Sequence, residues 1–313
     1  MPPGQRRPPR AQTFPIVEAF GYPYDSTFPA AELARTRKWC PFIGVQCEKY
    51  AQYKYGYCSV TYAAKWDLGT ARTYAVCDHR LDGEPIMWAV RDHFGTTGAT
   101  LVAEVAATSE PRLSLDYVAF ANSTTADGGV DLIAIESQAI DLRGGGVGPA
   151  WRAFEDGRPE MWRKYFTDEA EARGRDDKVA YGINMSNVHK RLGTQVALKG
   201  EYLREVGVPL YVVTQNVILE QLRSRVKFPP IGNGEAWDIT FVGFDYLQPA
   251  GPDGRLPLSL VEVVRTTLAD YQEALTSSGV AATFLRGDLI EKVKRKALGG
   301  SIGYPQIPLG GLG

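Results

Sequence analysis

No run of apolar residues in this chain approaches the roughly 20 needed to cross a bilayer, and His79, His93 and His189 are its only histidines. The first absence argues against a membrane-embedded chain. The second leaves few bases for a nucleophile-and-histidine mechanism, and neither a GxSxG turn nor a GxxxxGKS phosphate loop is present. Each histidine is therefore expected at the surface or in support of other residues. Charge of either sign is not in excess: 35 basic residues against 36 acidic ones leave a net −1. That excludes polyanion binding through overall charge, though not through local clusters. Cysteine is limited to 4 copies in 313 residues, and the first ten residues, MPPGQRRPPR, hold no apolar block. A secretory leader and a disulfide-built scaffold are thus not expected, whereas a reducing, cytoplasmic setting is. Residues 1–14 read as a flexible basic arm.

What is present is the composition of a soluble globular chain, 44% hydrophobic and 23% charged, able to bury a large core. Its basic residues gather in separate knots: RRPPR at 6–10, Arg35 to Lys38, Lys190-Arg191, Arg223 to Lys227 and KVKRK at 292–296. Each suits a solvated helix face as readily as a nucleic-acid contact.

Residues 15–83 hold all four cysteines and many tyrosines, with short β-like stretches at Tyr57 to Tyr62 and Arg72 to Cys77 but little aliphatic content. From residue 84 to 313 the pattern is that of a larger domain. EPIMWAVRDHF at 84–94 predicts a helix with proline in its first turn. TLVAEVAA, RLSLDYVAFA and VDLIAIESQ then predict three strands joined by short turns as an antiparallel meander. WRAFEDGRPEMWRKYFTDEAEARGRDD at 151–177 reads as a polar insertion studded with aromatics. INMSNVHKRLGTQVALKGEYLREVG at 183–207 predicts a long helix closed by Gly207. VPLYVVT at 208–214, nearly all apolar, predicts an interior strand parallel to a neighbour. Beyond it NVILEQLRSRVK reads as helix, AWDITFVGFDYL as a strand with alternating faces, LSLVEVVRTTLADYQEAL as a long amphipathic helix, and RGDLIEKVKRKAL as a basic terminal helix. The expected class is α/β (α+β), with a mixed sheet.

One stretch stands out. In VDLIAIESQAID at 130–141, period-two geometry places Glu136 and Gln138 on one strand face with Ala134, opposite Ile133, Ile135 and Ser137. Such residues can mark a wet strand end or a site. Asp116 is the single charge within the apolar strand RLSLDYVAF, so its burial requires a partner or a metal. If the strands pair through the loop at 121–129, the two carboxylates share a face. Two carboxylates form a hard-oxygen site suited to Mg²⁺, which keeps several waters and takes one or two protein carboxylates beside a phosphate. Glu104 is a further candidate ligand, equally readable as a solvent-facing strand residue. Arg112, on the face of Asp116, and Arg143, before Gly144 to Gly146, are candidates for contact with DNA.

An aspartate followed, at the spacing of Asp116 and Glu136, by Glu-x-Lys on one strand face is the pattern of the PD-(D/E)XK nucleases. Gln138 stands here where lysine is usual, and an amide neither brings positive charge nor takes up a proton as a base. The chain further resembles the NotI-like type II restriction endonucleases. That resemblance is carried by CPF at 40–42, GYCSV at 56–60, VCDHRLD at 76–82, SLDYVAF at 114–120, IAIESQAID at 133–141 and NMSNVHKRLGTQVALK at 184–199. It implies a PD-(D/E)XK core with a small Cys₄ metal-binding lobe, Asp116 and Glu136 as the catalytic Mg²⁺-binding pair, and Gln138 as the group that positions water. It also implies site-specific cutting of double-stranded DNA, at a GC-rich palindrome, by a homodimer accompanied by a cognate DNA methyltransferase.

Cys40, Cys47, Cys58 and Cys77 show no CxxC knuckle. Four packed thiols and one tetrahedral S₄ centre remain open by spacing, the latter favoured by their crowding into a region with little core of its own. The resemblance implies a structural iron at these four, and zinc accepts the same ligands.

Overall fold

The computed structural model describes residues 13–64, 70–95, 98–109, 112–122, 129–143, 146–175, 179, 181–232, 234–277 and scattered positions between 287 and 295. The basic arm up to residue 12, residues 123–128 of the meander loop, Gly144, Gly145 and the C-terminal tail lie outside the described residues.

The N-terminal part runs β1 (Ile16–Ala19), β2 (Tyr22–Pro23), α1 (Pro29–Arg37), β3 (Trp39–Cys40), β4 (Val45–Gln46), α2 (Glu48–Tyr53), β5 (Tyr57–Ala63) and β6 (Ala71–Ala75). Then follow α3 (Glu84–Phe94), β7 (Thr100–Ser109), β8 (Arg112–Asn122), β9 (Val130–Gln138), β10 (Leu142–Arg143), α4 (Gly148–Glu155), α5 (Trp162–Ala172), β11 (Gly182–Ile183) and α6 (Met185–Glu205). The chain continues through β12 (Leu210–Gln215), α7 (Asn216–Arg225), β13 (Ile239–Asp245), β14 (Ser259–Thr266) and α8 (Leu268–Ser277). No helix of the described residues is long and apolar enough to cross a membrane.

Six strands form a mixed sheet in the order β14-β13-β12-β9-β8-β7, and β2-β1-β5-β6 form a second sheet. The expected meander β7-β8-β9 is antiparallel, and β12 lies parallel to both β9 and β13. Both faces of the large sheet are covered. Ala134, Leu210, Val212, Ile239 and Phe241 join one core with the buried stripes of α6 to α8, while Ile133, Ile135, Tyr211, Val213, Val242 and Phe244 join another with Ile86, Ala89 and Val90 of α3. For that reason β13, expected to alternate, is buried from Ile239 to Phe244.

Two further expectations are corrected. The segment 258–275 is not one helix. Val261, Val263, Val264 and Thr266 make β14, an antiparallel edge strand on β13, because β-branched residues fit a pleated surface better than a helix. The helix starts only at Leu268, where Thr267 Oγ1 accepts the Asp270 amide at 3.0 Å and Asp238 accepts that of Leu268 at 2.8 Å. Nor is 151–177 simply a polar insertion: Trp151, Trp162 and Phe166 of α4 and α5 are buried in the main core. The long helix ends as expected, with Gly207 at φ +67°. The described positions near the C-terminus, Ile290, Glu291, Lys294 and Arg295 among them, are helical.

A buried charged knot ties the two sheets together. Glu18 on β1 is fully buried and accepts Arg80 Nε at 2.9 Å, Ser59 Oγ at 2.7 Å and Tyr246 OH at 2.8 Å, and Arg80 also donates to the Leu256 carbonyl. Removing one partner of such a pair leaves a buried charge unmet, which costs about 3–5 kcal/mol. Arg80→Ala is therefore expected to lower the free energy of urea unfolding by about that amount, whereas a change below about 1 kcal/mol would show the pair to be solvated.

His189 on α6 has a buried Nε2 without a hydrogen-bond partner among the described residues, and burial together with the nearby Arg225 guanidinium pushes its pKa down to about 4. The folded protein thus holds this ring neutral, so its contribution to stability is complete above the ordinary histidine value of about 6.5 and disappears as the pH falls towards 4. Urea midpoints at pH 7 and pH 5 are expected to fall less for His189→Leu than for the parent protein.

Candidate functional site

The site forms where the meander meets the parallel half of the sheet. Tyr117 pairs with Ile135 and Val118 with Ala134, so the same register, continued by one step, sets Asp116 of β8 opposite Glu136 of β9. Each carboxylate reaches the other's strand. The Asp116 amide donates to Glu136 Oε1 at 3.4 Å, and the Ser137 amide donates to Asp116 Oδ2 at 3.0 Å. Asp116 is half-buried, while Glu136 and Gln138 are buried on the α6 side of the sheet. The shared face expected from the sequence is therefore formed, and Gln138 lies at its end with its amide donating to the Ala139 carbonyl at 2.7 Å.

Sequence reasoning missed one member of this group. Lys199 of α6, itself buried, places Nζ 2.5 Å from Glu136 Oε2. A signal for it exists in hindsight: Lys199 falls on the helical stripe of Val188, Leu192, Val196 and Leu203, all buried. A lysine in such a stripe must meet an anion. Burial and the neighbouring Asp116 charge push the Glu136 carboxyl up to about 7, against the lowering effect of Lys199. Lys199 thus meets Glu136 alone while Asp116 lies across the strand pair from it, and carboxylates placed so close together favour an added cation.

Glu104 occupies the third place in the row. Ala103 pairs with Tyr117 and Val105 with Leu115, which sets Glu104 of β7 beside Asp116. It is exposed, and its φ of +53° is the left-handed conformation, which a residue with a Cβ adopts at a cost. Asp78 was also missed as a neighbour: its Oδ1 accepts the Ala139 amide at 3.2 Å. Arg143 does not join the group. Exposed Arg143 donates to the Ile183 carbonyl at 2.9 Å, tying β10 to β11. Arg112 opens β8, and its side chain lies outside the described residues.

The histidines stand apart from the carboxylate pair. His79 faces Asp82 at 2.6 Å and Glu48 at 3.1 Å, and hydrogen bonding to Asp82 is the main cause that raises its pKa to about 9. His93 faces Asp131.

Cys40, Cys47 and Cys58 are buried and Cys77 half-buried, and all four are free thiols. They are electrostatic neighbours: Cys40 feels Cys47, Cys58 feels Cys77 and Cys40, and Cys77 feels Cys40 and Cys47. Burial is the first cause that raises each thiol's pKa, taking Cys77 to about 12. Backbone amides donate to three of the sulfurs: Gly21 to Cys58 at 3.2 Å, Phe42 and Ile43 to Cys40, and Lys49 and Tyr50 to Cys47. Such donors suit thiolates. Among the described residues, however, no three His, Cys, Asp or Glu side chains are placed so as to hold a metal ion.

No protein-family model matches the chain, and neither does any curated protein.

The backbone at Glu104 separates cost from use. Glu104→Gly frees the left-handed residue, so unfolding in urea is expected to show a gain of about 1 kcal/mol. A loss of stability would mean that the Glu104 side chain supports the fold.

Proposed function

We propose that this protein is a Mg²⁺-dependent endonuclease of the PD-(D/E)XK type, cutting double-stranded DNA at a specific site. The observation that carries the proposal is the cross-strand pair: Asp116 and Glu136 lie on adjacent strands, each carboxylate bonded to the other's backbone, with Gln138 on the face of Glu136. The order α3, β7-β8-β9, α6, β12 around them, with β12 parallel to β9, agrees with that of the nuclease core. The likeness of short motifs to the NotI-like restriction enzymes adds the specific class: a type II enzyme of a restriction–modification system, with a partner methyltransferase.

In this reading Asp116 and Glu136 hold Mg²⁺, with Glu104 within the same row of strands. The donor set fits, since Mg²⁺ takes one or two carboxylates and leaves its other positions to water and phosphate. When bound, the ion supplies Lewis-acid polarisation of the scissile phosphate. The Gln138 amide orients the attacking water but takes no proton from it. The water oxygen bonds to phosphorus as the bond to the 3′ oxygen breaks; the attacking water gives up a proton to solvent and the departing 3′ oxygen takes one from solvent, which leaves a 5′-phosphate and a 3′-hydroxyl. Two strands require two such sites, so a two-fold dimer on a GC-rich palindrome is the assembly proposed. The resemblance makes the four thiols ligands of a structural iron or zinc; their side chains are soft donors with amides bonded to three of them, but among the described residues no three are placed to hold the ion.

The pairing of Glu136 with Lys199 favours a second reading, in which the acids only balance a buried cation and the protein binds DNA without cutting it. One gel separates the two. Incubated with unmethylated GC-rich plasmid and phage DNA in Mg²⁺, the protein is expected to yield discrete fragments, which EDTA abolishes. Glu136→Ala is expected to cut at least about 100-fold more slowly while retaining DNA affinity, because a lost metal ligand acts on the chemical step. Intact DNA from several genomes, or an undiminished rate in the variant, overturns the assignment.

A further inference from the structure

An amide at position 138 leaves the strand without the positive charge that a lysine would bring. We propose that this charge comes instead from α6, and that Lys199 assists phosphodiester cleavage through that charge, its ammonium held inside the site against Glu136. The inference rests on the nuclease reading above. Lys199 Nζ stands 2.5 Å from Glu136 Oε2, and the residue is only 7% exposed. The other oxygen of Glu136 faces the Asp116 amide. Glu136 is thus gripped from both ends, by β8 through Oε1 and by α6 through Oε2.

The helix cannot easily release that grip. Lys199 continues the buried stripe of Val188, Leu192, Val196 and Leu203, so its stem is packed among apolar neighbours. Gly200, the next residue, brings α6 so close to α8 that an added Cβ would stand 2.8 Å from Leu268 Cδ1. A leucine or methionine would fill position 199 at lower cost than a charge, because taking an ammonium out of water is expensive. Its use here follows from what it faces, the Glu136 carboxyl, which has Asp116 beside it on the neighbouring strand. An ammonium already fixed where charge develops needs no reorganisation during the reaction, and that is the most effective form of electrostatic assistance.

Lys199→Gln keeps a hydrogen-bond donor beside Glu136 and removes the charge; Lys199→Arg keeps the charge. Both are compared with the parent protein by thermal unfolding, by DNA binding in Ca²⁺, by Mn²⁺ binding in electron paramagnetic resonance, and by single-turnover cleavage in Mg²⁺. The glutamine variant is expected to bind DNA and Mn²⁺ within about threefold of the parent yet cut at least about 100-fold more slowly, with part of the rate restored by arginine. Cutting within about threefold of the parent overturns the proposal. So does a loss of rate that merely follows lost Mn²⁺ binding, since Lys199 would then only keep the carboxylates in shape. Lys199→Met is the second charge-free variant; if neither charge-free variant folds, the ammonium serves the fold and the proposal falls. A parent protein that cuts no DNA is a different failure, that of the nuclease reading itself, and takes this inference with it.

Discussion

The ion pair between Glu136 and Lys199 constrains more of this structure than any other contact, because neither charge is tolerable alone at that depth. Glu136 is buried on a strand with neighbours on both sides, so its partner can only come from the layer above the sheet. That layer is α6. For Lys199 to reach down, the stripe of Val188, Leu192, Val196 and Leu203 must face the sheet, and α8 must then close over α6 at Gly200. The parallel pairing of β12 with β9 follows from the same arrangement, since α6 is the crossover between them. One charged contact and the topology around it are thus mutually dependent.

The N-terminal sheet is fastened to the open end of this assembly by polar side chains as much as by apolar packing. Gln215, at the end of β12, accepts the Ala75 amide at 3.0 Å and donates to the Thr73 carbonyl at 2.7 Å and to Asp245 at 2.9 Å. The Ile140 amide bonds to the Ala75 carbonyl, and Asp78 bonds to the Ala139 amide. Cys77 is therefore one residue from a carboxylate that holds the segment directly after Gln138. Whatever fixes the thiol group also fixes the exit of β9, so the region with the weakest core of its own bears on the geometry of the carboxylate row.

Much of the central sheet was legible in advance, for identifiable reasons. Unbroken apolar runs separate β12 from the alternating strands, and Gly207 marks the end of α6 by the conformation it allows. The shared face of Glu136 and Gln138 followed from period two alone. What resisted reading depended on distant partners. The segment that became β14 has helical spacing of its apolar residues, and only the free edge of β13 decides for a strand. Lys199 takes its meaning only from the packing of α6 on β9, which brings it to Glu136. The left-handed turn at Glu104 has no signal at all in a residue type that rarely adopts it. Crowding suggested that the cysteines belong together; they are electrostatic neighbours spread over β3, β5 and the loops beside α2 and β6, but among the described residues no three are placed to hold a metal ion.

The departure from Glu-x-Lys is easier to understand once the helix is in place. A lysine two residues beyond Glu136 would put its ammonium on the same face as Lys199, in a region closed over by Thr214 and the Gln138 backbone, where Thr214 Oγ1 already bonds the Gln138 carbonyl at 3.2 Å. Two ammonium groups there would face two carboxylates with no net charge remaining for a cation, and like charges in a buried space repel strongly. In the nuclease proposed above, glutamine at 138 adds no further positive charge to the face that would hold Mg²⁺, and it supplies an amide to orient water. On that reading Gln138 and Lys199 divide between a strand and a helix what the lysine of Glu-x-Lys would combine, the amide standing at position 138 and the ammonium against Glu136 Oε2.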